Sequence, residues 1–343
     1  MYDRISSTMP KPELVISSPE ALFASFFTTA QQRRLSARFS WQRNGSKSIT
    51  SSLRKQLASA QGLITTWDSP HFADELLQMA PRVGVIAHCG GEVKSRFQGS
   101  LLERLTVTTA PEPMARSTAE FGAGLLLYCG RNVDFYREHL RNPKSRIYES
   151  VHLHGTPEFL IGREIGMIGF GRIGRKLVDL LRGFDLRWRV YDPYAPSELA
   201  DIYPVVFQPL QSVLQHSTLL VLTAALTEET RGLLDRKSLA RLPEGATIIN
   251  IARGGLIDLA ALTAEVRRGR LRCAIDVTDP VEPLPNNHPL RKLPGAIVTP
   301  HIGGGSLNTR HAMADDLIDD LERFFRGEPV KNRVTASMLA RMT

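Results

Sequence analysis

The sequence predicts an α/β protein made of two alternating strand–helix halves. Three observations carry this prediction. Short apolar runs alternate with amphipathic segments from Glu13 to about Val107, the alternation resumes at Arg163, and a glycine-rich strand–turn–helix occupies 169–174. At 343 residues the chain exceeds one ordinary hydrophobic core, so two domains are expected. An apolar fraction of 42% and a charged fraction of 23% exclude a disordered or fibrous chain.

In the first half, strands are expected at 13–17, 37–40, 62–65, 82–87 and 105–109. Helices are expected near 19–35, 52–60, 70–80 and 98–104. Residues 41–51 are polar and rich in Gly and Ser, and read as a mobile loop. One long helix is expected from Ala115 to Arg141, because Phe121, Leu125, Leu126, Cys129 and Val133 recur at helical spacing. Residues 142–160 read as irregular. Strands then follow at 163–171, 186–193, 218–223, 246–252, 271–276 and 295–300. Asp258 is placed to cap a helix running to Arg268, and an amphipathic helix from Ser306 to Arg326 comes last.

Composition narrows the function classes. The longest uncharged apolar stretch, Phe121 to Cys129, is too short to cross a bilayer. The amino terminus has no apolar signal core, so export is not expected and a cytoplasmic location is. Cys89, Cys129 and Cys273 lie far apart and fit neither a disulfide framework nor a zinc site. His152, His154 and His288 also lack metal-ligand spacing, so no metal is assigned. The net charge of +8 is spread along the chain without aromatic interleaving. That pattern argues against nucleic-acid binding and is better suited to attracting small anions.

The strongest local signal is Gly169-Phe170-Gly171-Arg172-Ile173-Gly174. It follows an apolar strand, opens an amphipathic helix, and leads to a second strand ending in Asp192. The first glycine allows a tight turn, the second a close backbone approach to a diphosphate, and the third close helix–strand packing. The helix start offers N–H groups and a favourable dipole to the anion. Asp192 can accept from both ribose hydroxyls and would repel a 2′-phosphate, which favours NAD over NADP.

Three further segments follow strands of the same half: Asn250 to Gly255, Asp276 to Pro283, and Thr299 to Gly304. In a doubly wound sheet such strand ends line the ligand crevice. An arginine, a carboxylate and a histidine thus become candidates for one chemistry. Hydride transfer to a carbonyl needs a proton donor, which histidine suits near neutral pH. A carboxylate orients the imidazole, and an arginine fork binds a carboxylate or ketone oxygen.

Together these motifs resemble the D-isomer-specific 2-hydroxyacid dehydrogenase family, which includes glycerate-, phosphoglycerate- and glyoxylate/hydroxypyruvate-type enzymes. The resemblance runs from about Gly62 to Gly327. It implies a Rossmann-type doubly wound NAD-binding domain at 116–305. A smaller flavodoxin-like substrate domain is implied from both chain ends, 1–115 and 306–343. By the same resemblance, Arg253 binds the substrate carboxylate and carbonyl, His301 is the general acid/base, and Glu282 is its partner. Cofactor contacts are implied for Gly169, Gly171, Arg172, Ile173, Gly174, Asp192, Thr223, Ala252, Arg253, Asp276, His301 and Gly303. The loop Ala87 to Val93 aligns with the substrate-carboxylate loop, making Cys89, Gly90 and Gly91 substrate-binding candidates. Successive N–H groups there are expected to form an anion nest. The helix beginning near Ala115 is expected to contribute to a homodimer interface.

Several positions depart from the family pattern. Val281 adds a residue before Glu282, and Asp279 is a weaker candidate for the same role. His88 and Cys89 stand where many members have smaller residues, and are expected to shape the pocket. Thr223-Ala224-Ala225 replaces a stretch that often contains His and Pro. Trp67 reads as a core residue rather than a pocket wall. Two other functions fit the same scaffold: an NAD-sensing corepressor-like binding protein, and a dehydrogenase acting on formate or phosphite.

Overall fold

A computed structural model describes residues 10–339 except Glu92, Ser95 and Gln98. In chain order the first elements are β1 Glu13–Ser17, α1 Glu20–Phe26, α2 Thr29–Arg38, β2 Ser40–Asn44, α3 Ser51–Leu57 and β3 Gly62–Thr65. They continue as α4 Leu76–Met79, β4 Val85–His88, α5 Gly99–Arg104, β5 Thr106–Thr109 and α6 Pro111–Gly130. Next come α7 Val133–Arg141, α8 Ile147–His154, β6 Glu164–Ile168, α9 Arg172–Leu180, β7 Arg187–Tyr191 and β8 Val205–Phe207. The chain closes with α10 Leu210–His216, β9 Leu219–Leu222, α11 Arg236–Leu239, β10 Thr247–Asn250, α12 Leu259–Arg267, β11 Arg272–Ile275, β12 Ala296–Val298, α13 Leu307–Phe325 and α14 Ala336–Leu339. Two compact units result, one of 1–114 with 306–343 and one of 115–305.

The first unit is a parallel sheet ordered β2-β1-β3-β4-β5. The pleat sends alternate side chains to opposite faces. Leu14 and Ile16 enter a core with Phe26, Leu35, Leu317 and Leu321, while Val15 enters another with Leu53, Leu57, Phe72 and Leu101. Both faces of the central strands are therefore dry, which explains their near-continuous apolar sequence. At the far end of the chain, the wholly buried Asp320 accepts from the Lys331 and Asn332 amides at 2.7 and 3.1 Å and from Asn332 Nδ2 at 2.9 Å. This clamp delivers Val334 N–H to Val107 O at 2.8 Å, so the chain end is stitched to β5.

The second unit is a seven-stranded parallel sheet ordered β12-β11-β10-β9-β6-β7-β8. Ile248 and Leu220 face one core, and Ile249 and Val221 the other. Strand order reverses between β6 and β9, and there the loops leaving the two strands diverge to open a crevice. Asp258 caps α12 by accepting from Ala261 N–H at 2.9 Å, and Ser306 caps α13 through Thr309 N–H at 3.2 Å.

Several elements differ from the sequence expectation, each for a local reason. The helix expected near 19–35 is two helices, because Thr28 and Gln31 form a reciprocal capping box that starts α2 afresh. Helix α2 then runs to Arg38, so the strand expected at 37–40 lies at Ser40–Asn44, all but its first residue in the stretch 41–51 expected to be a mobile loop. That strand pairs only with β1 and alternates exposed and half-buried residues, so its sequence is polar. Only Leu76–Met79 of the 70–80 helix forms. The long helix Ala115–Arg141 starts earlier, at Pro111, and stops at Gly130. Asn132 takes a left-handed conformation, φ 55°, and restarts the chain as α7. Helix α8 occupies part of the stretch expected to be irregular, and β8 had no counterpart in the sequence reading.

Replacing Asp320 with Ala is expected to destabilise the first unit by about 2–4 kcal/mol, since it strands buried donors. Denaturant unfolding of the variant checks this; an unchanged midpoint would show that the 331–334 clamp contributes little.

Candidate active site

The second unit's site is built from loops that leave parallel strands on one side of the sheet. After β6 the chain turns at Gly169, whose φ of +88° favours glycine. A Cβ there would also lie 2.4 Å from Ala224 Cα, so the turn closes against the loop after β9. Thr223 fastens the two: its N–H donates to Ile168 O at 2.9 Å and its hydroxyl to Gly169 O at 2.6 Å. Gly174 sits 3.0 Å, measured from an added Cβ, from Gly169 O, which draws α9 close under the turn. Gly171 differs, because an added Cβ would meet nothing within 4 Å. It borders open space at the helix start, the place an anionic group can occupy. Asp192, just after β7, accepts from Phe170 N–H at 2.7 Å and Tyr194 N–H at 2.9 Å. Its carboxylate is thereby oriented, with lone pairs left for ribose hydroxyls.

Asn250 ends β10 and clamps the segment that carries Arg253. Its Oδ1 accepts from Ala252 N–H at 3.0 Å and its Nδ2 donates to Arg253 O at 3.0 Å. Gly254 continues the turn so close to the next loop that a Cβ would lie 2.1 Å from the Thr278 carbonyl carbon. The arginine-bearing turn is thus seated against the acidic segment.

Asp276 directly follows β11 and is 3% exposed. Its Oδ1 accepts from Thr299 Oγ1 at 2.6 Å and Ile302 N–H at 2.9 Å, and its Oδ2 from Gly303 N–H at 2.9 Å. Its carbonyl accepts from His301 N–H at 2.9 Å. Asp276 thus accepts four of the hydrogen bonds that hold the 299–303 loop. The loop needs holding, because His301 has a φ of 55°, an unfavourable conformation for a residue with a Cβ.

So held, His301 Nδ1 meets Glu282 Oε1. The other oxygen of Glu282 accepts from Thr278 N–H at 3.1 Å, and Thr278 Oγ1 donates to Val281 O at 2.6 Å. Thr278 therefore closes a turn that absorbs Val281, which points to solvent, and still presents Glu282. Asp279 turns to Arg231, 3.5 Å away. Burial pushes the Glu282 carboxyl upward. His301, the Thr278 amide and the Arg253 charge outweigh it and hold the group below its ordinary range.

In the first unit, the candidate loop follows β4. Cys89 N–H donates to Thr65 O at 2.8 Å and Gly90 N–H to His88 O at 2.9 Å. Those two amides are committed within the protein, so neither Cys89 nor Gly90 has its N–H free for an anion. The Cys89 side chain is wholly buried, in the core cluster that also holds Phe26 and Met313. Its thiol is pushed well above the ordinary range by burial. His88 is likewise buried, with Nδ1 2.8 Å from Thr65 Oγ1, and burial lowers its pKa to about 3. Trp67 is half-buried, packed edge-on against Phe26.

A glycine-lined helix start at the switch point of a parallel sheet, with an oriented carboxylate on the next strand, defines a dinucleotide-binding oxidoreductase domain. The model of the D-isomer specific 2-hydroxyacid dehydrogenase NAD-binding domain matches residues 123–303, and the chain belongs to that family. NAD is its cofactor, and the chain is an NAD-dependent oxidoreductase. It is 31% identical over 252 residues to hydroxypyruvate reductase of Thermotoga maritima, covering 72% of this chain and 79% of that protein. It is 30% identical to D-3-phosphoglycerate dehydrogenase of Methanocaldococcus jannaschii, covering 76% of this chain but 49%, about half, of that longer protein. Among solved structures, the TT0316 protein from Thermus thermophilus is similar, with a TM-score of 0.75 and 28% identity over 94% of this chain and all of the other. Among the described residues, no helix is long and apolar enough to cross a membrane.

The acidic limb of the stability curve tests the Glu282 pairing. Because its folded pKa is depressed, Glu282 contributes stability above its unfolded value, about 4.3, and loses it as pH falls through the lower folded value. Glu282→Gln is expected to flatten that part of the melting temperature's pH dependence. A curve parallel to wild type would mean that Glu282 has no special partner.

Proposed function

We propose that the protein interconverts a D-2-hydroxy acid and the corresponding 2-keto acid, with His301 as general acid/base. The observation that carries this reading is the Glu282–His301 contact on a loop held by Asp276. Bound NAD supplies the hydride acceptor, or as NADH the donor. Glu282 accepts from His301 Nδ1–H and so fixes the tautomer, leaving Nε2 to give a proton to the carbonyl oxygen or take one from the hydroxyl. The negative carboxylate also stabilises the imidazolium formed in the oxidation direction. Arg253 receives the substrate carboxylate, its turn held by Asn250 and Gly254. In the first unit, the Gly90–Gly91 turn is proposed as a substrate loop.

For the cofactor, the proposed contacts are the 169–174 turn with Arg172 and Ile173, Asp192 on the adenine ribose, and Thr223, Ala252, Asp276 and Gly303 toward the nicotinamide. The free thiols Cys89, Cys129 and Cys273 support a reducing, cytoplasmic setting. A homodimer is supported by exposed Leu140, Tyr148, Leu153 and Phe159 on and beside α7 and α8, helices with no buried residue of their own.

NADH consumption against a panel of 2-keto acids, glyoxylate, hydroxypyruvate, pyruvate and phenylpyruvate, tests the reaction, with NADPH run in parallel. Turnover with NADH and little with NADPH is expected. His301→Ala should lower kcat by about 10²–10⁴-fold while NADH binding stays close to wild type; undiminished turnover would remove His301 from its role. For assembly, light scattering should report a dimer, and Leu140→Lys with Leu153→Lys should shift it to monomer. A wild-type monomer would reject the interface.

A further inference from the structure

Two loops of the second unit are joined by side chains across the turn that separates them. The sheet order β9-β6-β7 puts the loops after β7 and β9 on either flank of the 169–174 turn. They start two strand spacings apart, about 10 Å. Gly169 fills the inner part of that gap, so close to Ala224 that a Cβ would not fit. Farther along both loops the flanks meet again: Tyr194, just beyond Asp192, donates its hydroxyl to Glu229 Oε2. The contact reaches past the fingerprint turn from one flank to the other.

Both ends of this bridge are held from the backbone. Tyr194 N–H donates to Asp192 Oδ1 at 2.9 Å, and Asp192 Oδ2 accepts from Phe170 N–H at 2.7 Å. Glu229 lies in a turn closed on itself. There Thr227 N–H donates to Thr230 Oγ1 at 2.7 Å, Thr230 Oγ1 to Ala225 O at 2.7 Å, and Arg231 N–H to Thr227 O at 2.9 Å. With the Thr223 hydroxyl on Gly169 O, these links form a closed circuit through the β6 turn and the loops after β7 and β9. Each link between loops uses a main-chain group except Tyr194–Glu229, which joins two exposed side chains. A hydrogen bond between exposed groups competes with water, so this link is the one that opens. Between Thr223 and Glu229 the loop offers Ala224, Ala225 and Leu226, apolar and only half-buried, a surface that suits a flat aromatic base.

We propose that Tyr194 and Glu229 form a clasp over the adenosine end of the dinucleotide. The link opens to admit the adenine base and recloses behind it, so the pair sets how fast the cofactor exchanges. This rests on the reading that places the adenine ribose on Asp192. A link made in the same way before and after binding raises the barrier to entry and to exit alike. Weakening it speeds both and leaves the dissociation constant where it was.

Stopped-flow fluorescence of NADH on the full-length protein tests this, following association on mixing and release on displacement by excess NAD. Tyr194→Phe keeps the ring and deletes the hydroxyl. It is expected to raise both the association and the dissociation rate constant about fivefold, the loss of one hydrogen bond, with Kd within about twofold of wild type. Glu229→Ala should do the same, and the double variant should exceed neither single. Unchanged rates in Tyr194→Phe would overturn the clasp. So would a rise in dissociation alone, which marks a contact with bound cofactor, or multiplied effects in the double variant, which mark two unconnected residues. Asp192→Ala tests the underlying reading separately. It should weaken NADH binding by about tenfold, and an unchanged Kd would remove the ribose from Asp192 whatever the clasp variants do.

Discussion

The carboxylate of Asp276 is the interaction on which the second unit's chemistry depends. A buried charge must be compensated, and this one is compensated entirely by the loop that carries His301. The loop gains something in return, since its histidine sits in a left-handed conformation that isolated chain would abandon. Neither half is stable alone: the carboxylate needs donors, and the strained loop needs a fixed acceptor. The result places an imidazole with little freedom in front of Glu282. Asn250 performs a milder version of the same service one strand away, holding both ends of Ala252–Arg253.

These anchors sit at strand ends because the sheet is parallel. Every strand of the second unit delivers its last residue to the same edge, so the loops after β6, β9, β10, β11 and β12 become neighbours. Close approach then selects glycine at particular points. Gly169 would collide with Ala224 and Gly254 with Thr278 if either carried a side chain. Gly171 has no such neighbour, which separates a glycine required by protein packing from one whose open side leaves room at the helix start.

How far the sequence revealed this follows from the same distinction. The fingerprint was legible because its chemistry is backbone chemistry, written locally in glycine spacing and an apolar strand. Arg253, Glu282 and His301 were legible as candidates because polar residues interrupt apolar runs at the strand ends. The anchoring role of Asp276 was not, because its partners at 299, 302 and 303 are distant in sequence and two of them are amides, which every residue has. Strand β2 escaped for the opposite reason: an edge strand with one neighbour keeps a polar sequence that imitates a loop. The stop at Asn132 depends on a single left-handed residue within an otherwise helical pattern. Cys89 looked available in a glycine-rich loop, yet the pleat turns its side chain into the core.

The two units treat charge differently, and the contrast bears on what each contributes. In the second, the candidate groups come already compensated: Asp276 by amides and a hydroxyl, Glu282 by His301 and Thr278 N–H. Such a set is held by the protein's own donors and acceptors, the preorganisation that the proposed proton transfer needs. In the first, Arg310 packs against the Trp67 and Phe26 rings, donates to one serine, and keeps a buried Nε without a partner.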